Sequence, residues 1–336
     1  MKQVTTPGAA VSRRHWIALA IAALTGCGGG SDTTGDGSTV GDGGDAAASG
    51  SSGQDGGTTQ AAASPGTGGT GISVLGPISG FGSIVINGVH YDESGARITL
   101  NGAGAGSSAL RLGMVADVQG TRAADGLTGV AQSVDIWSIA QGVVSGVGAG
   151  RFTVMGMNII VRSTTFMDVA GPSVGQRVVV WGLQADASGS QWLATRVDAA
   201  SGDRSVVTGT VAGSGDSRTI NGIRLTGDRA DELSAGVIYR VEGEWHADEL
   251  ELEVETARRV DVRRDTASGK VVEIEGVVTS PLSGGFFTLG SVRVDASAVA
   301  GEAAALRVGQ EIEVYGRWQG SVLVASKLEV EEEDDD

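Results

Sequence analysis

The sequence predicts an all-β protein in which four tandem, small five-stranded barrels of the OB type follow a polar, disordered N-terminal tether. Three observations predict it. Glycines recur as Gly76, Gly142, Gly209 and Gly276, at a spacing of about 67 residues that marks an internal repeat. Between glycines the apolar residues alternate with period two, as in Arg151-Phe152-Thr153-Val154 and Met157-Asn158-Ile159-Ile160-Val161, and β-branched side chains dominate. Asn87-Gly88 and Asn221-Gly222 are the dipeptides that a two-residue hairpin demands, because both turn positions need positive φ.

The elements follow in chain order. Residues 1–26 read as a targeting segment: Lys2, Arg13 and Arg14 precede an apolar run, Ile17 to Thr25, too short to cross a bilayer as a helix. Leu24-Thr25-Gly26-Cys27 resembles the lipobox of bacterial lipoproteins. The resemblance implies cleavage between Gly26 and Cys27 and lipidation of Cys27, the only cysteine in the chain. It places the protein in the bacterial cell envelope, attached to the membrane through that lipid. Gly28 stands where an inner-membrane retention signal would place aspartate, so the outer membrane is the expected address. Once lipidated, the thiol can neither form a disulfide nor act in catalysis.

Residues 27–71 form a Gly/Ser-rich tether with too little apolar surface to offset the entropy of ordering. Such a chain spans roughly 35–40 Å on average, enough to lift a domain off the headgroups. The repeats occupy 72–138, 139–200, 204–264 and 271–330. Each reads as three strands, a short helix or loop, and two further strands. A glycine opens and another closes the fourth strand of each repeat: Gly113 and Gly120, Gly175 and Gly182, Gly236 and Gly243, Gly309 and Gly316. The stretch Ala296 to Leu306 has helical composition and is two or three turns long at most. The repeats read as separate barrels, although the direct run from Val134 through Val144 leaves room for strand continuity between the first two. Residues 331–336 are an acidic tail of six carboxylates, extended by self-repulsion.

The segment Gly76-Pro77-Ile78-Ser79-Gly80-Phe81-Gly82-Ser83-Ile84-Val85-Ile86-Asn87-Gly88-Val89-His90-Tyr91-Asp92 resembles the opening signature of the bacterial domain of unknown function 5666, with a looser likeness in the other repeats. That family carries no assigned activity. The resemblance implies tandem small β-barrels on an envelope lipoprotein and transfers no functional residue.

Catalytic residues are sparse, and none is assigned. His90 and His246 are the only histidines after the targeting segment, and no Gly-x-Ser-x-Gly elbow opens a helix. Asp92 and Glu93 beside His90 and Tyr91 are the densest acid–base cluster, yet alternation sends strand neighbours to opposite faces. His246 with Asp248 and Glu249 does not define a closed metal site, so neither metal nor cofactor is expected. The chain therefore reads as a non-catalytic binding or scaffolding protein, with a structural spacer as the alternative. Trp181, Trp245, Tyr315 and Trp318 cluster around the glycine that ends the fourth strand, where OB-type barrels line a ligand face. They are the candidate contacts for a glycan, peptide or protein ligand, or else plugs of the barrel ends. The formal net charge of −16 argues against nucleic acid as a partner.

Overall fold

The structure, a computed structural model, describes residues 70–168, 170–260 and 270–330. The targeting segment, Gly26 and Cys27, nearly all of the tether and the acidic tail lie outside the described residues.

The first ring of strands comprises β1 (Thr70–Pro77), β2 (Ile84–Ile86), β3 (Val89–Asp92), β4 (Arg97–Leu100), β5 (Ala103–Ala105), β6 (Val115–Arg122) and β7 (Thr128–Ile136). β1 runs antiparallel to β6 and β6 to β7. β7 runs parallel to β3, and β3 antiparallel to β2. The Gly80–Val85 bridge returns β2 to the end of β1, so the five strands close a barrel with the strand order of an OB-type Greek key. β4 and β5 form an added hairpin carried on β7.

The same circuit of pairings recurs. It links β8 (Ala140–Gly148), β9 (Arg151–Val154), β10 (Met157–Ile160), β12 (Arg177–Gln184) and β13 (Gln191–Ala199), with β11 (Phe166–Met167) added beside β13. It links β14 (Ser205–Ala212), β15 (Thr219–Ile220), β16 (Ile223–Thr226), β17 (Ile238–His246) and β18 (Glu251–Arg259). Last, it links β19 (Val271–Ser283), β20 (Phe286–Leu289), β21 (Val292–Asp295), β22 (Glu311–Gln319) and β23 (Val322–Val330). The helix foreseen between third and fourth strands is a single turn: α1 (Asp228–Asp231) in the third ring and α2 (Ala300–Ala303), after a 3-10 turn, in the fourth. In the first ring the β4–β5 hairpin and a 3-10 turn take its place.

The paired glycines have a common cause. The second of each pair sits at a register shift between the fourth and fifth strands, after Gln119, Trp181, Glu242 and Tyr315. There a β-carbon would lie 2.1 Å from the Val130 carbonyl oxygen, 2.2 Å from that of Leu193, 1.8 Å from that of Glu253 and 2.3 Å from that of Val324. Only glycine admits such an approach, and the bulge it permits tightens the coil that closes a small barrel. The Asn-Gly turns are as foreseen, with φ of 51° and 70° at Asn87 and Gly88 and 53° and 79° at Asn221 and Gly222.

The rings do not stand apart as separate barrels. β1 pairs in parallel with β19, Ile72 opposite Val271 through Leu75 opposite Ile274, which joins the first and last rings in a twelve-stranded sheet. β8 pairs with β14, Val206 opposite Gln141 and Val207 opposite Ala140, which joins the middle rings in an eleven-stranded sheet. Strand continuity from Val134 to Val144 is absent: β7 ends at Ile136, and Trp137-Ser138-Ile139 carries the chain from one sheet to the other. Each join covers an edge that would otherwise offer unpaired backbone groups.

The cores follow the rings. Ile72, Val74, Ile84, Ile86 and Tyr91 anchor the first, Phe287, Val294, Ile312 and Leu323 the last, and the middle rings share one continuous cluster around Phe152, Val180, Val207 and Val241. Leu183, Leu193 and Val277 form a fourth, small cluster where the second ring meets the last.

Gly243→Ala should lower stability by more than about 2 kcal/mol, because the Glu253 carbonyl must move. Gly301→Ala, in α2 with open space around it, should be neutral or stabilising by about 0.5–1 kcal/mol. Urea unfolding of the two variants checks both; equal losses would contradict the role assigned to the bulge.

Candidate functional site

The four aromatic residues singled out from the sequence do not share a face. Trp181, on β12, leaves its own ring and is buried in the core cluster of the first, with its indole nitrogen enclosed and without a hydrogen-bond partner. Trp245 packs against the shared core of the middle rings, and Trp318 against the core of the last. Tyr315 is half-buried: its hydroxyl donates to Glu313 Oε2 at 2.7 Å, and Lys327 Nζ lies 5.0 Å from its ring centre. Burial first, and the Glu313 carboxylate second, push the Tyr315 pKa well above the ordinary tyrosine value.

Tyr315 borders a cavity of about 630 Å³ on the seam between the first and last rings. Its lining includes Pro77, Asn87, Glu275, Glu313 and Glu329. Beside the cavity a buried ion pair crosses the same seam. Arg122 Nη2, on β6, donates to Glu273 Oε2 on β19 at 2.5 Å and to the Tyr91 hydroxyl on β3 at 2.9 Å. Glu273 is fully enclosed and the Arg122 side chain is 17% exposed, so neither charge can be recovered by water if its partner is lost. Burial raises the Glu273 pKa even though Arg122 opposes the rise; at Arg122 burial is the largest single effect and lowers the pKa, but the Glu273 charge together with the interactions with Tyr91 and the Glu273 hydrogen bond turns the balance upward. The Asn87 amide also opposes the rise at Glu273, from a geometry short of a full hydrogen bond. This triad was not singled out in the sequence, since Arg122 and Glu273 are 151 positions apart.

The acid–base cluster foreseen around His90 is split as alternation requires. Tyr91 is buried while His90 and Asp92 are exposed on the other face of β3. His90 Nδ1 lies 3.1 Å from Ser83 Oγ, and Asp92 accepts from the Ser94 backbone N–H, which lowers its pKa. His246 Nε2 instead meets Glu253 Oε2 at 3.3 Å on the β17–β18 hairpin. The structure brings none of these into a shared hydrogen bond. Among the described residues no group of three His, Cys, Asp or Glu side chains is placed to hold a metal ion.

Residues 141–198 and 275–329 match the family model described as Domain of unknown function (DUF5666). The two matches are consistent with repeats of that domain family, and they fall on the second and fourth repeats rather than the first, whose Gly76–Asp92 segment carries the resemblance in the sequence. No curated protein matches the chain. Among solved structures, the wild-type single-stranded DNA binding protein from Thermus aquaticus is similar at 14% identity, over 59% of this chain and 94% of that one, with a TM-score of 0.17. Drosophila Unr CSD456 is similar at 12% identity, over 54% of this chain and 87% of that one, with a TM-score of 0.18. The exclusion of nucleic acid drawn from net charge does not stand, and one of the similar proteins is itself a single-stranded DNA binding protein. The physical reason is that net charge sums over the whole chain and is silent on any one face. At such TM-scores the similarity assigns no ligand to this chain.

Titration at the seam has a defined sign. The folded pKa of Glu273 lies above its unfolded value, so its contribution to stability is fully present below the unfolded value and is lost as pH rises through the folded one. Glu273→Gln removes that loss, so the variant should gain on the parent as pH rises from about 4.3, the unfolded value, towards neutrality. Arg122→Met, which strands the Glu273 carboxylate, should cost about 3–5 kcal/mol at pH 7. Unfolding midpoints across this range measure both, and a pH-independent gap between Glu273→Gln and the parent would contradict the assignment.

Proposed function

We propose that the recurring rings are four tandem OB-like modules, at 72–138, 139–200, 204–264 and 271–330, of a lipid-anchored protein of the bacterial envelope. It acts as a non-catalytic scaffold, with the outer membrane as its address. In this reading the signal is cut behind Gly26, Cys27 carries the lipid, and residues 27–71 hold the modules away from the headgroups.

The observation that carries the scaffold reading is the joining of rings distant in sequence, through β1 with β19 and through the Arg122–Glu273 pair. A chain that only needed length could leave its modules as independent beads. A fixed arrangement of modules suits a protein that holds other components in register. The placement of Trp181, Trp245 and Trp318 against cores supports structural use of these rings over a role as exposed ligand contacts.

The anchor is tested by metabolic labelling with a palmitate analogue followed by membrane fractionation. Cys27→Ser should abolish incorporation and move the protein to the soluble fraction; a variant that stays on membranes would contradict the anchor.

A further inference from the structure

The outer face of the third ring carries a row of residues whose charge is not balanced. In register across three strands, Thr208 on β14 faces Arg240 on β17, and Arg240 faces Arg258 on β18. Two guanidinium side chains directly opposite each other on an antiparallel pair repel. Arg240 Nη1 donates to Ser138 Oγ at 3.1 Å and reaches Thr208 Oγ1 at 3.5 Å, and both acceptors are neutral hydroxyls. Burial, opposed only by the charge of Glu242, pulls the Arg240 pKa down to about 10. Arg258 is exposed, and its guanidinium and the tip of the Trp137 ring lie together against Gly102. Among the described residues no carboxylate pairs with either arginine.

This row meets, at Thr208, a cleft of about 760 Å³ lined by Trp137, Ser138, Trp192, Thr208, Ile238 and Arg259, among others; Arg240 lies at its edge through Ser138 and Thr208, and Arg258 lies beside Trp137. None of the lining residues is Asp or Glu, in a chain with 40 acidic and 24 basic residues. The volume is that of a small-molecule site, with apolar and aromatic walls and a few polar groups to fix orientation.

We propose that a small organic anion binds at the edge of this cleft, its carboxylate or phosphate held by Arg240 and Arg258 and its body lying on the Trp137 indole. The anion supplies the charge that the fold leaves out: it removes the arginine–arginine repulsion and accepts charge-assisted hydrogen bonds in a partly desolvated setting. The proposal goes beyond the scaffold reading and stands whether or not Cys27 is lipidated.

The test uses the full chain after the targeting segment, with phenyl phosphate as the probe and inorganic phosphate and phenol as its two halves. Tryptophan emission and the melting temperature are followed on titration. Phenyl phosphate should change the emission saturably and raise the melting temperature; inorganic phosphate should bind more weakly, and phenol should do neither. Arg258→Gln should melt no lower than the parent without anion and should bind phenyl phosphate about tenfold more weakly. Arg258→Lys keeps the charge but not the forked donors, and its affinity should fall between the two. Unchanged affinity in Arg258→Gln, no response of the parent to phenyl phosphate, or equal binding of phenol would overturn the proposal.

Discussion

The fold depends on a contact between a backbone carbonyl and a missing side chain. Where the fourth strand of every ring faces the bulge in the fifth, the carbonyl oxygen of the fifth strand occupies the space a β-carbon would need. This allows two residues of the fifth strand to oppose one of the fourth, and the added coil lets five short strands close without a free edge between them. A wider barrel could close with gentler curvature. A ring of this size has little interior, so its stability rests on the closure itself and on what its outer surface meets.

That outer surface explains the joins. β1 is hydrogen-bonded on one side to β6 and on the other to β19, so a strand of the first ring is also a strand of the sheet that holds the last. The join brings Glu273 and Arg122 out of water together. Burial of such a pair adds little net stability compared with apolar packing, but it penalises any arrangement that leaves either charge alone, and so favours one register of the two rings over others. The Trp181 ring, buried in the neighbouring core, does the same through packing. The arrangement of the rings is thus set by contacts that lie outside each ring's own core.

The ring is legible in the sequence because its requirements are local. A bulge glycine, an Asn-Gly hairpin and an alternating strand each constrain a residue type at a position, and Gly120, Gly182, Gly243 and Gly316 repeat because the same carbonyl approach repeats. The pairing of β1 with β19 is not legible: both strands read as ordinary opening strands, and nothing in Ile72–Leu75 distinguishes a partner some two hundred residues away from water or from a neighbouring repeat. For the same reason Trp181 looks like a barrel-end residue until the neighbouring ring is in place. Arg240 and Arg258 are separated by the β17–β18 hairpin, and only the register, shifted by the bulge at Gly243, sets them opposite each other. The family match falls on the second and fourth repeats, which keep the frame of glycines and strands and lack the Gly80-Phe81-Gly82-Ser83 segment of the first.

The central claim is that rings distant in sequence are joined by backbone pairing, and amide hydrogen exchange tests it most directly. The β1 amides in Ile72–Leu75 that face β19, and the β19 amides in Val271–Ile274 that face β1, should exchange as slowly as amides inside the β12–β13 pairing, and should open together. Rapid exchange at these positions while the β1–β6 and β19–β22 amides remain protected would show that the rings stand alone, and would contradict the account.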